Sequence, residues 1–332
     1  MSHHLELRRR GAAPIFGGTI PRRILALSAA AAVLGLTACG EAEADSPDGA
    51  ANDAEAGGSA ACAEFEPLRF SDTGVEGLET LMLEFEDFRV GLEEATDLEI
   101  EFEPMSSRTA AATALEYEDL DVLLTGPAEY VVLKQEADAV PLAGVTRDNY
   151  QAAIIVRSDS DVESMADLNG QSMVTKEVGS TSGHLGPLAM LDEAGLDPNA
   201  GDVEVIPLSG THMEAFASGD GDAVGTGIKD FEGLQEMMGE DAVEILEEGP
   251  DLPNDLFIAR TGLGEDCAQY LEDSLVENQD VLLEAIVETG ENDKYIGSEF
   301  VNAEDADYEP TRRAFEAAGF EQYADLPDED EQ

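Results

Sequence analysis

The sequence predicts an α/β protein built of two units with a ligand cleft between them. Three observations carry this. Strand-like and helix-like hydrophobic periods alternate from residue 67 to residue 318; they fall into two series joined by two extended crossings; and the loops with unusual residues follow strands, where open α/β sheets gather ligands. The 332 residues hold about two domains' worth of chain, enough for a sizeable core.

The chain opens on an address. Arg22-Arg23 precede a run of 13 residues from Ile24 to Leu36, and Leu36-Thr37-Ala38-Cys39 resembles a bacterial lipobox. Such a run is shorter than the ~20 apolar residues a spanning helix needs. Residues 1–38 are therefore expected to be a lipoprotein signal peptide cut before Cys39, whose lipid tethers the protein to the outer face of the cell membrane. The twin arginines match the folded-protein export signal only weakly. Residues 39–64 are rich in Ala, Gly, Ser, Asp and Glu without apolar period, and read as a disordered acidic tether.

From Pro67 the elements follow in order. Leu68–Phe70 is a short strand, and Leu78, Leu81, Met82, Phe85, Phe88 and Leu92 recur at helical spacing. Leu98, Ile100 and Phe102 alternate as a half-buried strand; a short helix over 109–115 leads to strand Leu120–Leu124, then Gly126–Tyr130 and another helix. The second series has strands at Ala152–Val156, Ser172–Thr175, Val203–Ile206, Asp222–Val224 and Val243–Leu246, with helices between them. After Leu252-Pro253-Asn254-Asp255, strand Leu256–Ala259 returns the chain to the first sheet. Helices Cys267–Thr289 and Glu309–Ala318 finish the fold, and Leu326–Gln332 is a frayed acidic tail. Alternation of this kind predicts parallel strands. The expected lobes are residues 65–151 with 256–332, and residues 152–255.

Charge excludes one class of partner. Lys and Arg number 17 against 74 Asp and Glu; residues 1–38 carry five of those arginines and one Glu, which leaves 12 against 73 from Cys39 onward. Nucleic acid is excluded as a partner. The acids are spread along the whole chain, there is no Trp, and the balance reads as a surface adapted to high salt, where self-repulsion is screened. With Cys39 lipidated, Cys62 and Cys267 remain, and an oxidising compartment predicts that they join.

The stretch Gly179-Ser180-Thr181-Ser182-Gly183-His184-Leu185-Gly186-Pro187 follows a strand and opens a helix. Three consecutive hydroxyls, unpaired first-turn N–H groups and the helix dipole converge there, which makes an anion cradle. A plain helix cap needs one hydroxyl, so three beside glycines favour ligand contact. Gly179-x-Thr181-x-Gly183 also has the spacing of a nucleophile elbow, but that motif centres on serine, so an extracytoplasmic hydrolase using Thr181 with His212 is the weakest reading.

Several segments carry a resemblance in a common order: Gly126-Pro-Ala-Glu-Tyr130, Arg157–Ser160, Ala166–Gly170, Gly179–Pro187, Ser209-Gly-Thr-His212 and Leu252-Pro-Asn-Asp255. From about Leu68 to Arg313 the chain resembles the substrate-binding lipoproteins of phosphate, phosphite and phosphonate ABC transporters. That resemblance implies a two-lobed periplasmic binding-protein fold of the type II kind, with two hinge strands, no enzymatic activity, no cofactor or metal, and an ABC permease as partner. A monomer is expected. It implies further that Ser180, Thr181 and Ser182 hold phosphorus-bound oxygens, that Tyr130 and His212 donate to the ligand, and that Asp255 accepts a proton from it. Where the family has a tyrosine after the second strand this chain places Arg108, and the acidic position expected near Gly227 is missing.

A carboxylate at Asp255 suits a P–O–H or an ammonium rather than a full dianion. Arg108 would narrow the space for an organic tail, so phosphate or phosphite is expected before a small phosphonate. The same fold could instead serve as the ligand-sensing module of a membrane receptor. His184 is expected to be structural.

Overall fold

The computed structural model describes residues 55–75, 77–105 and 110–324. The expected signal segment, Cys39, Arg108 and the expected acidic tail lie outside the described residues.

Two sheets form the two lobes. The first sheet contains β1 (Leu68–Asp72), β2 (Ile100–Phe102), β3 (Val122–Thr125), β4 (Val140–Val145), β10 (Asp255–Ala259) and β11 (Phe300–Asn302), in the spatial order β11-β4-β10-β3-β1-β2. The second contains β5 (Gln151–Arg157), β6 (Ser172–Thr175), β7 (Glu204–Pro207), β8 (Ala223–Gly227) and β9 (Val243–Asp251), in the order β7-β6-β8-β5-β9.

Parallel strands were the expectation, and both sheets are mixed. β1 runs parallel to β2 and β3, and β6 parallel to β7 and β8, as alternation requires. β10 is antiparallel to both β3 and β4, and β5 is antiparallel to both β8 and β9. The reason is the chain path: β10 enters the first sheet from the other lobe, opposite in direction to the β-α-β strands beside it. The crossings are residues 146–150, between β4 and β5, and residues 252–254, between β9 and β10.

Helices cover the sheets: α1 (Glu55–Cys62), α2 (Leu78–Thr96), α3 (Ala110–Glu116), α4 (Pro127–Ala137), α5 (Gly186–Glu193), α6 (His212–Ser218), α7 (Asp230–Met238), α8 (Gly264–Glu277), α9 (Gln279–Val287) and α10 (Glu309–Ala317). Each apolar stripe explains its burial. On α2, Leu81, Phe85, Phe88 and Leu92 fall at three- and four-residue spacing and are buried against Phe70 and Phe257. β3 is buried along its whole length, as an inner strand with both faces covered should be.

Two further expectations need correction, and one strand was not expected. The tether does not run to residue 64, because α1 packs on α8: a Cβ on Gly58 would lie 2.3 Å from the Tyr270 ring, and the Cys62 and Cys267 sulfurs are bonded at 2.06 Å. The helix expected over Cys267–Thr289 is two, α8 and α9, parted at Asn278, whose φ of −110° and ψ of 17° leave the helical well while its amide donates to the Ser274 carbonyl at 2.8 Å. The short strand β11 escaped the reading because three residues show no period.

Candidate functional site

A cavity of about 220 Å3 lies between the lobes. The first lobe contributes Asp72 at the end of β1 with Thr73 and Gly74 after it, Thr125 at the end of β3, Gly126 and Glu129 at the start of α4, and Lys294 and Tyr295 before β11; the second contributes Lys176, Glu177 and Ser180–Ser182; Arg147, Tyr150 and Asp255 come from the crossings or their ends. The strands of each lobe thus end at the cavity.

The cradle is built by close approach. Residues 181–185 form one wide π turn, in which the Leu185 N–H reaches the Ser180 carbonyl at 2.9 Å, and this turn runs into α5. Gly183 permits it: a Cβ there would lie 2.4 Å from the Lys176 side chain. Thr181 Oγ1 accepts the backbone N–H of Ala128 from the other lobe at 3.2 Å.

The opposite wall is ionic. Asp255 is 2% exposed; its carboxylate accepts from Arg147 at 3.2 and 3.3 Å and from the Tyr295 hydroxyl at 2.7 Å, with Lys294 Nζ at 3.8 Å. The Arg147 guanidinium also lies 3.7 Å over the Tyr150 ring. Burial opposes the Arg147 charge, yet Asp255, helped by Tyr150 and Tyr295, outweighs it and raises the pKa. Burial next to Asp255 drives Tyr295 and Tyr150 well above the ordinary phenol value, so both remain hydroxyl donors. Asp72 accepts the Gly74 N–H at 2.6 Å; burial, reinforced by Asp255, raises its pKa to about 6, against the opposing pull of Lys294.

The predicted residues divide into two groups. Ser180, Thr181, Ser182 and Asp255 line the cavity. Tyr130 and His212 do not. Tyr130 is fully buried, with its ring 4.5 Å from that of Tyr308 and its hydroxyl donating to Asp305 Oδ1 at 2.7 Å; the apolar faces of α4 and α10 claim it. His212 lies behind the second lobe's wall, with Nε2 3.1 Å from Thr226 Oγ1 and 3.8 Å from Asp230. The Thr181–His212 pairing that a hydrolase would need is not formed, since Thr181 binds Ala128 and His212 binds Thr226. The Ser209–His212 loop is absent from the lining, whereas the end of β1 and the loop after it, not singled out in the sequence, supply three lining residues. His184 is buried and its Nδ1 accepts the Gly179 N–H at 3.5 Å, a structural role as expected.

Sequence reading missed Arg147, Lys176 and Lys294. A signal existed: only 12 basic residues follow Cys39, and three of them meet at one cavity.

Two α/β lobes, two crossings and a polar cavity where the strands end are the architecture of a two-lobed solute-binding protein. Residues 76–308 match the family described as ABC transporter, phosphonate, periplasmic substrate-binding protein, and the chain belongs to that family. Its fold is similar to that of PhnD1 from Prochlorococcus marinus, solved with methylphosphonate: TM-score 0.59 and 20% identity over 76% of this chain and 98% of that one. It is similar also to the binding-protein component of an ABC phosphonate transporter from Pseudomonas aeruginosa (TM-score 0.56, 16% identity, 76% and 86% covered). The aliphatic sulphonate binding protein SsuA from Escherichia coli shares the fold at a TM-score of 0.54 and 17% identity, with 78% and 92% covered.

Proposed function

We propose that this chain is a lipid-anchored extracytoplasmic binding protein, tethered through Cys39, that captures a small phosphorus oxyanion as a monomer and delivers it to an ABC permease. Phosphate or phosphite is the favoured ligand and a small phosphonate the next. The observation that carries the reading is the shared lining of one cavity of about 220 Å3 by the Ser180–Ser182 hydroxyls of one lobe, Lys294 of the other, and Arg147 beside Asp255 at the crossings.

The volume lies below the ~300 Å3 at which pockets for drug-sized ligands begin, which favours a compact ligand. Hydroxyl and backbone donors suit the phosphoryl oxygens. Asp255 and Asp72 suit a ligand that still carries a proton on oxygen, because a carboxylate repels a dianion and accepts from P–O–H. A phosphonate bearing an ammonium group is the second reading, favoured by Glu129 and Glu177 on the cavity wall.

Calorimetry on the chain from residue 40 onward, in molar salt, with phosphate, phosphite, methylphosphonate and 2-aminoethylphosphonate tests the ligand. Heat from phosphate or phosphite above all is expected; strongest binding of the aminophosphonate moves the assignment to the second reading, and no heat from any of the four overturns both. The anchor is tested by fatty-acid labelling of the full chain, which Cys39→Ala is expected to abolish.

A further inference from the structure

Lys176 is the second lobe's contribution of positive charge to the cavity, and its placement is unusually constrained for a lysine. It directly follows β6, its N–H donates to the Gly183 carbonyl at 2.9 Å, and its stem lies where any side chain on residue 183 would be. The glycine inside the cradle therefore clears a path for the lysine as well as for the turn.

The ammonium is then held from behind. Nζ is 2.9 Å from Asp230 Oδ2, at the start of α7. The same carboxylate accepts the Thr226 hydroxyl. Because that hydroxyl spends its proton on Asp230, it must accept from His212, so Nε2 of the ring is the protonated nitrogen, 3.1 Å away. Burial opposes the Asp230 charge, yet His212, Lys176 and Thr226 together hold the acid well below the usual carboxylate range. His212 Nδ1 is buried without a hydrogen-bond partner, a cost consistent with a ring committed to its other nitrogen.

We propose that Lys176 is the ligand-binding cation of the second lobe, for tetrahedral oxyanions with at least one negative charge, and that Asp230, Thr226 and His212 are positioning residues that aim its ammonium at the Ser180–Ser182 cradle. Asp230 takes one of three N–H donors, which leaves two for the ligand. A lysine so tethered is ordered before the ligand arrives, and the ordering does not have to be met on binding. This reassigns His212: it serves the site through Asp230 without touching the ligand. The inference rests on the phosphorus-oxyanion reading above.

The test is a double-mutant cycle read by calorimetry in molar salt, with phosphate, phosphite and methylphosphonate as probes. Lys176→Met is expected to weaken binding of whichever probe the wild type holds by 10-fold or more, and Asp230→Asn by about 5-fold. In the Lys176→Met background Asp230→Asn is expected to change nothing further, which a merely structural role for Asp230 would not produce. His212→Gln, which retains a donor, is expected to bind within 3-fold of wild type, and His212→Leu to behave like Asp230→Asn. Wild-type affinity in Lys176→Met, or an equal loss from Asp230→Asn in both backgrounds, overturns the inference. A wild type that binds none of the probes overturns the ligand reading itself, and this inference falls with it. If Asp230→Asn does not fold, Thr226→Val takes its place in the cycle with the same two outcomes.

Discussion

The backbone N–H of Ala128, in the first turn of α4, donates to the side-chain oxygen of Thr181 at 3.2 Å, so one hydroxyl of the cradle is bonded directly across the cleft. The bond joins the two lobes. Thr181→Val keeps the shape and removes the acceptor, which leaves a buried N–H unpaired in the closed form at a cost of ~1–3 kcal/mol. The expected outcome is a roughly 10-fold loss of affinity and a larger radius of gyration in small-angle scattering, since binding-protein closure is a hinge motion. An unchanged radius with unchanged affinity refutes the latch.

Asp72 gives the site a pH dependence of known sign. Its pKa is raised from the ordinary aspartate value of 3.8 to about 6, chiefly by burial. The folded state therefore holds this proton more tightly than the unfolded chain, and the stability it contributes is full below pH 3.8 and is lost as pH rises through 6. A shift of this size corresponds to about 3 kcal/mol. Asp72→Asn, which keeps the shape without the charge, is expected to be more stable than wild type at pH 7 and to lose that advantage near pH 4. Denaturant titrations at the two pH values check it; parallel curves count against the buried acid.

Arg147 and Asp255 tie the two crossings together at 3.2 Å, one residue just after β4 and the other opening β10. Asp255→Ala strands the half-buried guanidinium and removes the acceptor of Tyr295 at once. The loss expected from breaking a buried pair is ~3–5 kcal/mol. Asp255→Asn, which still accepts from Tyr295, is expected to fall between that variant and wild type. Chemical denaturation ranks the three proteins, and equal midpoints for wild type and Asp255→Ala count against a structural role at the hinge.

The lobes, the crossings and the cradle were legible because they depend on local signals: periods of two and 3.6, Pro-Asn turns, and three hydroxyls between glycines. What was misread depends on partners distant in sequence. Tyr130 sits one turn into α4, where either face was open; the choice was made by Tyr308 and Asp305, more than 170 residues away. His212 was expected at the ligand from the family resemblance, yet its ring is bonded to Thr226 and lies beside Asp230. Asp72 and Lys294 converge on one cavity from 222 positions apart, and no spacing announces that. The mixed sheet directions follow from the crossings, which bring β5 and β10 each into a sheet from the other lobe, a consequence of topology and not of any residue in the strands.

Residues 55–62 fold as α1 against α8, and Cys62 is linked to Cys267 across a separation of 205 residues. By chain entropy a link closing so long a loop contributes up to about 5 kcal/mol. Cys62→Ala with Cys267→Ala is expected to lose a few kcal/mol and to free α1, seen as new proteolytic cleavage between residues 55 and 65 while the lobes stay intact. Thiol titration of the unreduced protein is expected to find neither sulfhydryl; two free thiols refute the pairing.

Ionic strength separates the field of the whole chain from the contacts of the site. The net charge is −57. At 10 mM salt the Debye length is ~30 Å, and the whole acidic surface repels an approaching anion; at 1 M it is ~3 Å, and only groups in direct contact act. Lys176, Arg147, Lys294 and the Ser180–Ser182 donors are such groups, so they persist where the repulsion does not. Association with phosphate or phosphite is therefore expected to accelerate as salt is raised, opposite to the usual behaviour of a site fed by a favourable field. The melting temperature is expected to rise over the same range, because the same screening relieves repulsion among the surface carboxylates. Stopped-flow binding and thermal melts between 10 mM and 2 M salt measure both. An association rate that falls with salt would mean that the local cations dominate at long range, and a flat melting temperature would mean that the acidic surface carries no folding cost for salt to relieve.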